Sequence, residues 1–227
     1  MLITSQVIAS GSGSVGGLTL SHNSGGLYFR ARVIPTNPST IFQTAIRVAV
    51  ASLTARWIAD LTQVQRDAWE LYAANVPLPG PLGNPRPVSG LAMYIRGNVS
   101  RIQTGEPVAD DAATVFDLSG FTPIAGEVIG GQVLAFTFTN VDDWANADDA
   151  AMLVYMSRPQ NVTINFFQGP YRFADKIQGD ATTAPTSPAA ITSPFTLVPG
   201  QRVFGYIRVT REDGRYSAKQ DFDVITA

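Results

Sequence analysis

The spacing of hydrophobic and polar positions changes period twice along the chain. Between Leu27 and Ile34, Leu27, Phe29, Ala31 and Val33 alternate with Tyr28, Arg30 and Arg32. That period of two predicts a strand with both arginines on the face opposite the apolar row. Leu18–Leu20 precedes it across Ser-His-Asn-Ser-Gly-Gly, which predicts a hairpin with a long, glycine-containing loop. The more amino-terminal residues, rich in Gly and Ser, read as a flexible arm. From Phe42 the period becomes helical: Phe42, Ile46, Ala49/Val50, Leu53 and Trp57 form one stripe, and Val64, Ala68, Leu71 and Tyr72 form the next. Thr40 with Gln43, and Thr62 with Gln65, have the spacing of a capping box at the start of each helix. A third helix is expected from Ser89 to Thr104, with Leu91, Ile95 and Ile102 on one side. Five prolines between Val76 and Val88 exclude helix and central strand there and predict a stiff spacer.

Beyond Gly105-Glu-Pro-Val-Ala-Asp-Asp, which reads as a linker, short apolar runs bounded by turn residues take over. Strands are expected at Val115–Leu118, Val133–Asn140, Ala151–Arg158, Tyr171–Ile177, Pro194–Val198, Val203–Arg211 and Tyr216–Ile225. Asp213-Gly214 between the last two is a strong hairpin signal. Ala181–Ser193 reads as an exposed low-complexity loop. The expected fold is thus an α+β amino-terminal module over residues 1–105, a hairpin plus three short helices, followed by an all-β sandwich over residues 106–227.

Composition changes this picture in two respects. Only 15% of the residues are charged, against 45% hydrophobic, which points to a surface partly covered by partners. The charge is also unevenly placed. Residues 1–105 carry eight arginines against Asp60, Asp67 and Glu70, a net +5 with no lysine, while residues 106–227 carry −7. Arginine's planar fork suits fixed interface contacts better than a mobile ammonium does. Cysteine is absent, which excludes disulfides, thiolate nucleophiles and Cys-ligated zinc. The first residues lack the pattern of a signal peptide, and Ile41–Leu53 is too short and too polar to span a bilayer. A soluble protein made in a cytoplasm is expected.

The candidate chemistry is thin. Gly11-Ser-Gly13-Ser-Val-Gly16 has the letters of a dinucleotide fingerprint, but the first acid of the chain, Asp60, is far too distant to hold a ribose. His22 is the only histidine and is expected in a solvated turn, which leaves no triad. The pairs Asp110-Asp111, Asp142-Asp143 and Asp148-Asp149 lack the spacing of an EF-hand and read as solvated loops. Arg30, Arg32, Arg47, Arg56 and Arg66 could meet phosphates, but a nucleic-acid module is usually more basic, so nucleic acid is not the expected partner. Trp57 and Trp69 are expected as core anchors, with an interface role as the alternative. No catalytic, cofactor-binding or metal-ligating residue is expected.

Tyr28, Arg30 and Arg32, then Pro35, Asn37 and Pro38, then Gln43 and Arg47, then Trp57, Leu61, Thr62, Gln65, Arg66 and Trp69 come in an order that resembles the amino-terminal part of tailed-bacteriophage virion structural proteins. The likeness covers roughly residues 16–104. The carboxy-terminal half resembles an immunoglobulin or fibronectin-III-like sandwich, although Leu197-x-Pro-Gly-x-x-Val203-Phe204 departs from the tyrosine corner of fibronectin-III domains. The resemblance implies a non-enzymatic head decoration or cement protein of a virion, a homo-oligomer that binds the major capsid protein or other virion proteins. Tyr28, Arg30, Arg32, Asn37, Arg47, Trp57, Arg66 and Trp69 are its expected interface. A neck, tail or baseplate protein is one alternative. A carbohydrate-binding module is another, with Trp144, Tyr171 and Tyr216 as stacking platforms and a glycan as ligand.

Overall fold

In a computed structural model of the chain, residues 12–23, 26–34, 36–79 and 85–226 are described. Contacts divide the chain into two units, Met1–Gln43 and Thr44–Ala227. The first unit holds β1 (Gly13–Val15), β2 (Leu18–Asn23) and β3 (Gly26–Ala31) in one antiparallel sheet, in that order. Asn23 pairs with Gly26, so Ser21–Asn23 belong to the ladder, not to the long loop expected. His22 accordingly lies in β2 opposite Leu27. Gly13–Val15, expected in an arm, pairs with Leu18–Leu20 through a turn in which Gly16 takes φ +60°. Ser14 and Thr19 join their hydroxyls across that pair at 2.8 Å. The arm's earlier residues, 1–11, lie outside the described residues. Among those described, Leu27 is the one buried side chain of this unit.

Three helices follow: α1 (Ile41–Ala59), α2 (Gln63–Asn75) and α3 (Gly90–Thr104). Both capping boxes form: Thr40 and Gln43 exchange two bonds at 3.3 Å, and Thr62 and Gln65 satisfy one another's backbone reciprocally. Ser89 caps α3, and Gly105 at φ +80° ends it. The ends of the proline-rich stretch pair as a minimal ladder of β4 (Leu78–Pro79) and β5 (Pro85–Arg86); residues 80–84 between them lie outside the described residues.

The helical stripes hold only in part. On α1 the buried positions are Ala49 and Leu53, while Phe42 and Ile46 are exposed. On α2, Trp69, Tyr72 and Ala73 turn inward, and Val64 and Leu71 face solvent. On α3 the expected Leu91, Ile95 and Ile102 are only half-buried, and the buried positions include Met93, Tyr94, Gly97, Asn98 and Arg101. The reason is that α3 is covered on two sides, by α2 and by the strands beyond, so no single stripe describes it.

The remaining strands are β6 (Ala125–Gly130), β7 (Val133–Thr137), β8 (Ala151–Ser157), β9 (Gln160–Asn161), β10 (Tyr171–Gln178), β11 (Ala189–Thr192), β12 (Gln201–Thr210) and β13 (Gln220–Ile225). They form two antiparallel sheets, β10-β8-β12-β13 with β9 attached to β12, and β11-β7-β6. The sheets share one apolar core in which Leu134 and Phe136 of one meet Met152, Val154, Val203 and Ile207 of the other. The chain is therefore α+β. Two expected strands are absent: Val115–Leu118 and Pro194–Val198 are irregular. In their place, β6 and β11 form the second sheet with β7, and β11 lies inside the expected low-complexity loop. Ala189–Thr192 is too short and too weakly alternating to stand out, and gains its strand character from pairing with Val133–Phe136.

Candidate interaction surfaces

Within the Thr44–Ala227 unit, the helices and the sheets are joined by a built seam. Segment 105–120, whose first seven residues read as a linker, lies packed on the helices because its apolar residues Val108, Ala112, Ala113 and Leu118 enter the helical core. Its polar groups are held as well. Arg56 donates a fork to Asp110, Nε to Oδ1 at 2.7 Å and Nη2 to Oδ2 at 2.5 Å. The Tyr94 hydroxyl adds a bond to Oδ1, the Trp69 indole donates to the Asp110 carbonyl at 2.8 Å, and Asn98 brackets Ala109 with two bonds. The hydrogen bonds from Arg56 hold the Asp110 carboxyl below its ordinary value.

At the other side of the seam, Gly97 of α3 meets the turn between β12 and β13. A methyl group at Gly97 would collide with the Gly214 carbonyl oxygen, and Gly214 itself sits at φ +78° against the Trp69 ring. Arg101, 1% exposed, donates to the carbonyls of Pro107, Asp149 and Arg211. Burial lowers its pKa. Arg96 and Arg208 both lie over the Tyr216 ring, at 5.1 and 4.9 Å from its centroid, and both donate to the Ser217 carbonyl. Burial first, and the nearby Arg208 second, bring Arg96 down to about 10. Lys176 binds Glu106 and the Thr104 carbonyl, and Arg215 binds Asp117 at 2.9 Å. No spacing in the sequence announced these roles. A glycine in the interior of a helix was the one legible sign, because that residue costs helix stability and is kept where a backbone approaches closely.

The expected interface residues are dispersed over the chain. Arg30 and Arg32 are exposed at the end of β3, with Tyr28 half-buried beside them. Asn37 is exposed and accepts the Ser39 N–H at 3.3 Å. Arg47 is exposed on α1. Trp57 is half-buried against Tyr94, and Arg66 donates to the Trp57 and Ile58 carbonyls at the end of α1, a helix C-cap made by a side chain. Trp69 is fully buried and spends its surface inside the chain.

Exposed apolar surface is concentrated instead on the first unit and the start of α1. Val15, Leu18, Val33, Ile34, Ile41, Phe42, Ile46 and Val48 are all exposed, Ile41 at 85%. Residues 41–48 are exposed around the full circumference of the helix. No acid occurs before Asp60, so this apolar stretch carries positive charge only.

The aromatic residues expected to stack on sugar do not form a platform. Trp144 is fully buried in the sheet core, and Tyr216 is covered by the two arginines. Tyr171 lines a cleft of about 310 Å³ beside β13, together with Phe166, Phe204 and Asp221. The acidic pairs are occupied locally: Asp142 accepts from the backbone and side chain of Thr122, and Asp148 accepts from the Ala181 N–H. Among the described residues, no three His, Asp or Glu side chains gather as a metal would require, and no helix is long and apolar enough to cross a membrane. An α+β protein with a sealed helix–sheet seam and an exposed, arginine-bearing apolar stretch is what the geometry defines. The chain matches no protein-family model and no curated protein.

Proposed function

We propose that this protein is a non-enzymatic structural component of a bacteriophage particle, made in the host cytoplasm, that binds and stabilises the capsid lattice as a decoration or cement protein. The observation that carries the reading is the apolar, purely cationic stretch from Val15 to Val48. Eight large apolar side chains within residues 15–48 stand in water, and Ile41, Val48 and Val33 have no role in either core, which is what a surface kept for a partner requires. In a particle, this stretch docks on the major capsid protein or a neighbouring virion protein. The two antiparallel sheets over one core fit an immunoglobulin or fibronectin-III-like sandwich, a shape suited to standing out from such a lattice. Repetition over symmetry-related sites supplies avidity without new contacts.

The test is the number of copies per purified particle, counted by quantitative mass spectrometry. A number that tracks the capsid lattice supports the cement role, and a number matching one ring moves the protein to the neck, tail or baseplate. Absence from purified particles would sink the reading.

A further inference from the structure

Two strands of this chain end their sheets with an open edge, and they carry opposite charge at the same spacing. In the first unit, β3 pairs with β2 alone. In the second, β13 is the last strand of its sheet and pairs with β12 alone. Among the described residues no strand pairs with the outer edge of either; β6 lies beside β13 but makes its ladder with β7. Arg30 of β3 and Arg32 just beyond it are two residues apart on one face. Asp221 and Asp223 of β13 are likewise two apart, with side chains 60% and 54% exposed.

We propose that copies of this chain associate head to tail, the β3 edge of one copy extending the β10-β8-β12-β13 sheet of the next along β13. Like charges directly opposite each other destabilise a strand pair, and unlike charges stabilise it. Pairing β3 with β3 would set Arg30 and Arg32 against arginines, and pairing β13 with β13 would set aspartates together. Each edge thus refuses itself, a common device against indiscriminate strand addition, while the mixed pair is favoured. The existing partners of the aspartates leave room for this: Lys219 meets Asp221 at 3.0 Å and Arg202 Nε lies 3.5 Å from Asp223, both at exposed carboxylates where an ion pair contributes little. Among the described residues of the first unit, Leu27 is the one buried side chain. A three-stranded sheet so poor in burial gains most from a further strand, whose main-chain hydrogen bonds supply affinity. Because the two edges differ, the contact is heterologous and generates rings or open chains, not a closed two-fold dimer. The inference concerns only the affinity of the chain for itself and stands without the virion reading.

The experiment is sedimentation velocity on the purified chain over a range of concentrations at low and high salt. Wild type is expected to form larger species with concentration, less so at high salt as screening weakens the charge pairs. The pair R30E/R32E and the pair D221K/D223K are each expected to weaken association by about tenfold or more. An equimolar mixture of the two variants restores it, because each arm then faces an edge of opposite charge. The neutral pair R30Q/R32Q gives a smaller loss and guards against misfolding as the cause. All four side chains are exposed, so the far-ultraviolet circular dichroism and melting curve stay as in wild type. A wild type that remains monomeric at low salt, variants that associate as wild type does, or a mixture that stays dissociated would each overturn the proposal.

Discussion

The seam around α3 and the stretch from Val15 to Val48 use the same residue types to opposite ends. At the seam, arginine is an internal strut: Arg56 forks onto Asp110, and Arg101 ties three carbonyls from three separate loops. In the exposed stretch, Arg30 and Arg32 stand in solvent among apolar side chains that reach no core. An arginine-rich half is therefore no signature of a docking half. What separates the two uses is whether carbonyls or carboxylates of the same chain lie within reach, and only the fold decides that.

The contrast can be broken most severely at Arg101. Arg101→Ala leaves a void and three carbonyls without their donor, and is expected to cost about 3 kcal/mol or more, read from denaturant unfolding. Gly97→Val, which drives a side chain into the Gly214 carbonyl, is expected to cost about 2–3 kcal/mol. Its signature is that the helical and sheet signals cease to melt together, since the seam is what couples them. An unchanged melting curve for either variant would mean that the seam does not hold the unit together.

Asp110 sharpens the comparison through pH. Its carboxyl is held below the ordinary value, chiefly by the hydrogen bonds of Arg56, so on acidification the unfolded chain binds this proton first. The stabilisation is complete above the unfolded carboxylate pKa of about 4 and is lost as pH falls through the folded value. Asp110→Asn should cost about 1–2 kcal/mol near neutrality and flatten the acid limb of the stability profile. A mutant profile parallel to wild type down to low pH would remove the role assigned to this pair.

The smallest effect on stability is expected in the exposed stretch. Ile41→Ser together with Val48→Ser should change unfolding free energy by no more than about 0.5 kcal/mol, because neither side chain is packed. The same pair should markedly reduce binding to purified particles in a pelleting assay. If stability falls and binding does not, the stretch is core in disguise.

Local features were legible because their physics is local. The capping boxes at Thr40 and Thr62, the helix from Ser89 to Thr104 and the Asp213-Gly214 turn depend on neighbours a few residues away, and each formed as read. The alternation from Leu27 to Ala31 gave a strand. The stripe from Phe42 to Trp57 gave a helix but not its burial, because periodicity reports which face is apolar and not how far along the helix a partner extends.

The remainder was decided by tertiary structure. Residues 105–111 read as a linker from their glycine, proline and acids, yet they are held through Asp110 and Ala109 by side chains from all three helices. β11 reads as low complexity and becomes a strand through an available partner edge. Arg101, Asn98 and Gly97 lie on a helix buried from two sides, where no hydrophobic period could flag them. By itself, the sequence determined where the three helices begin and that the chain is α+β, since those follow from backbone propensity and capping. Which arginines brace the interior and which remain in solvent depends on groups distant in sequence meeting in space, and one-dimensional spacing does not contain that information.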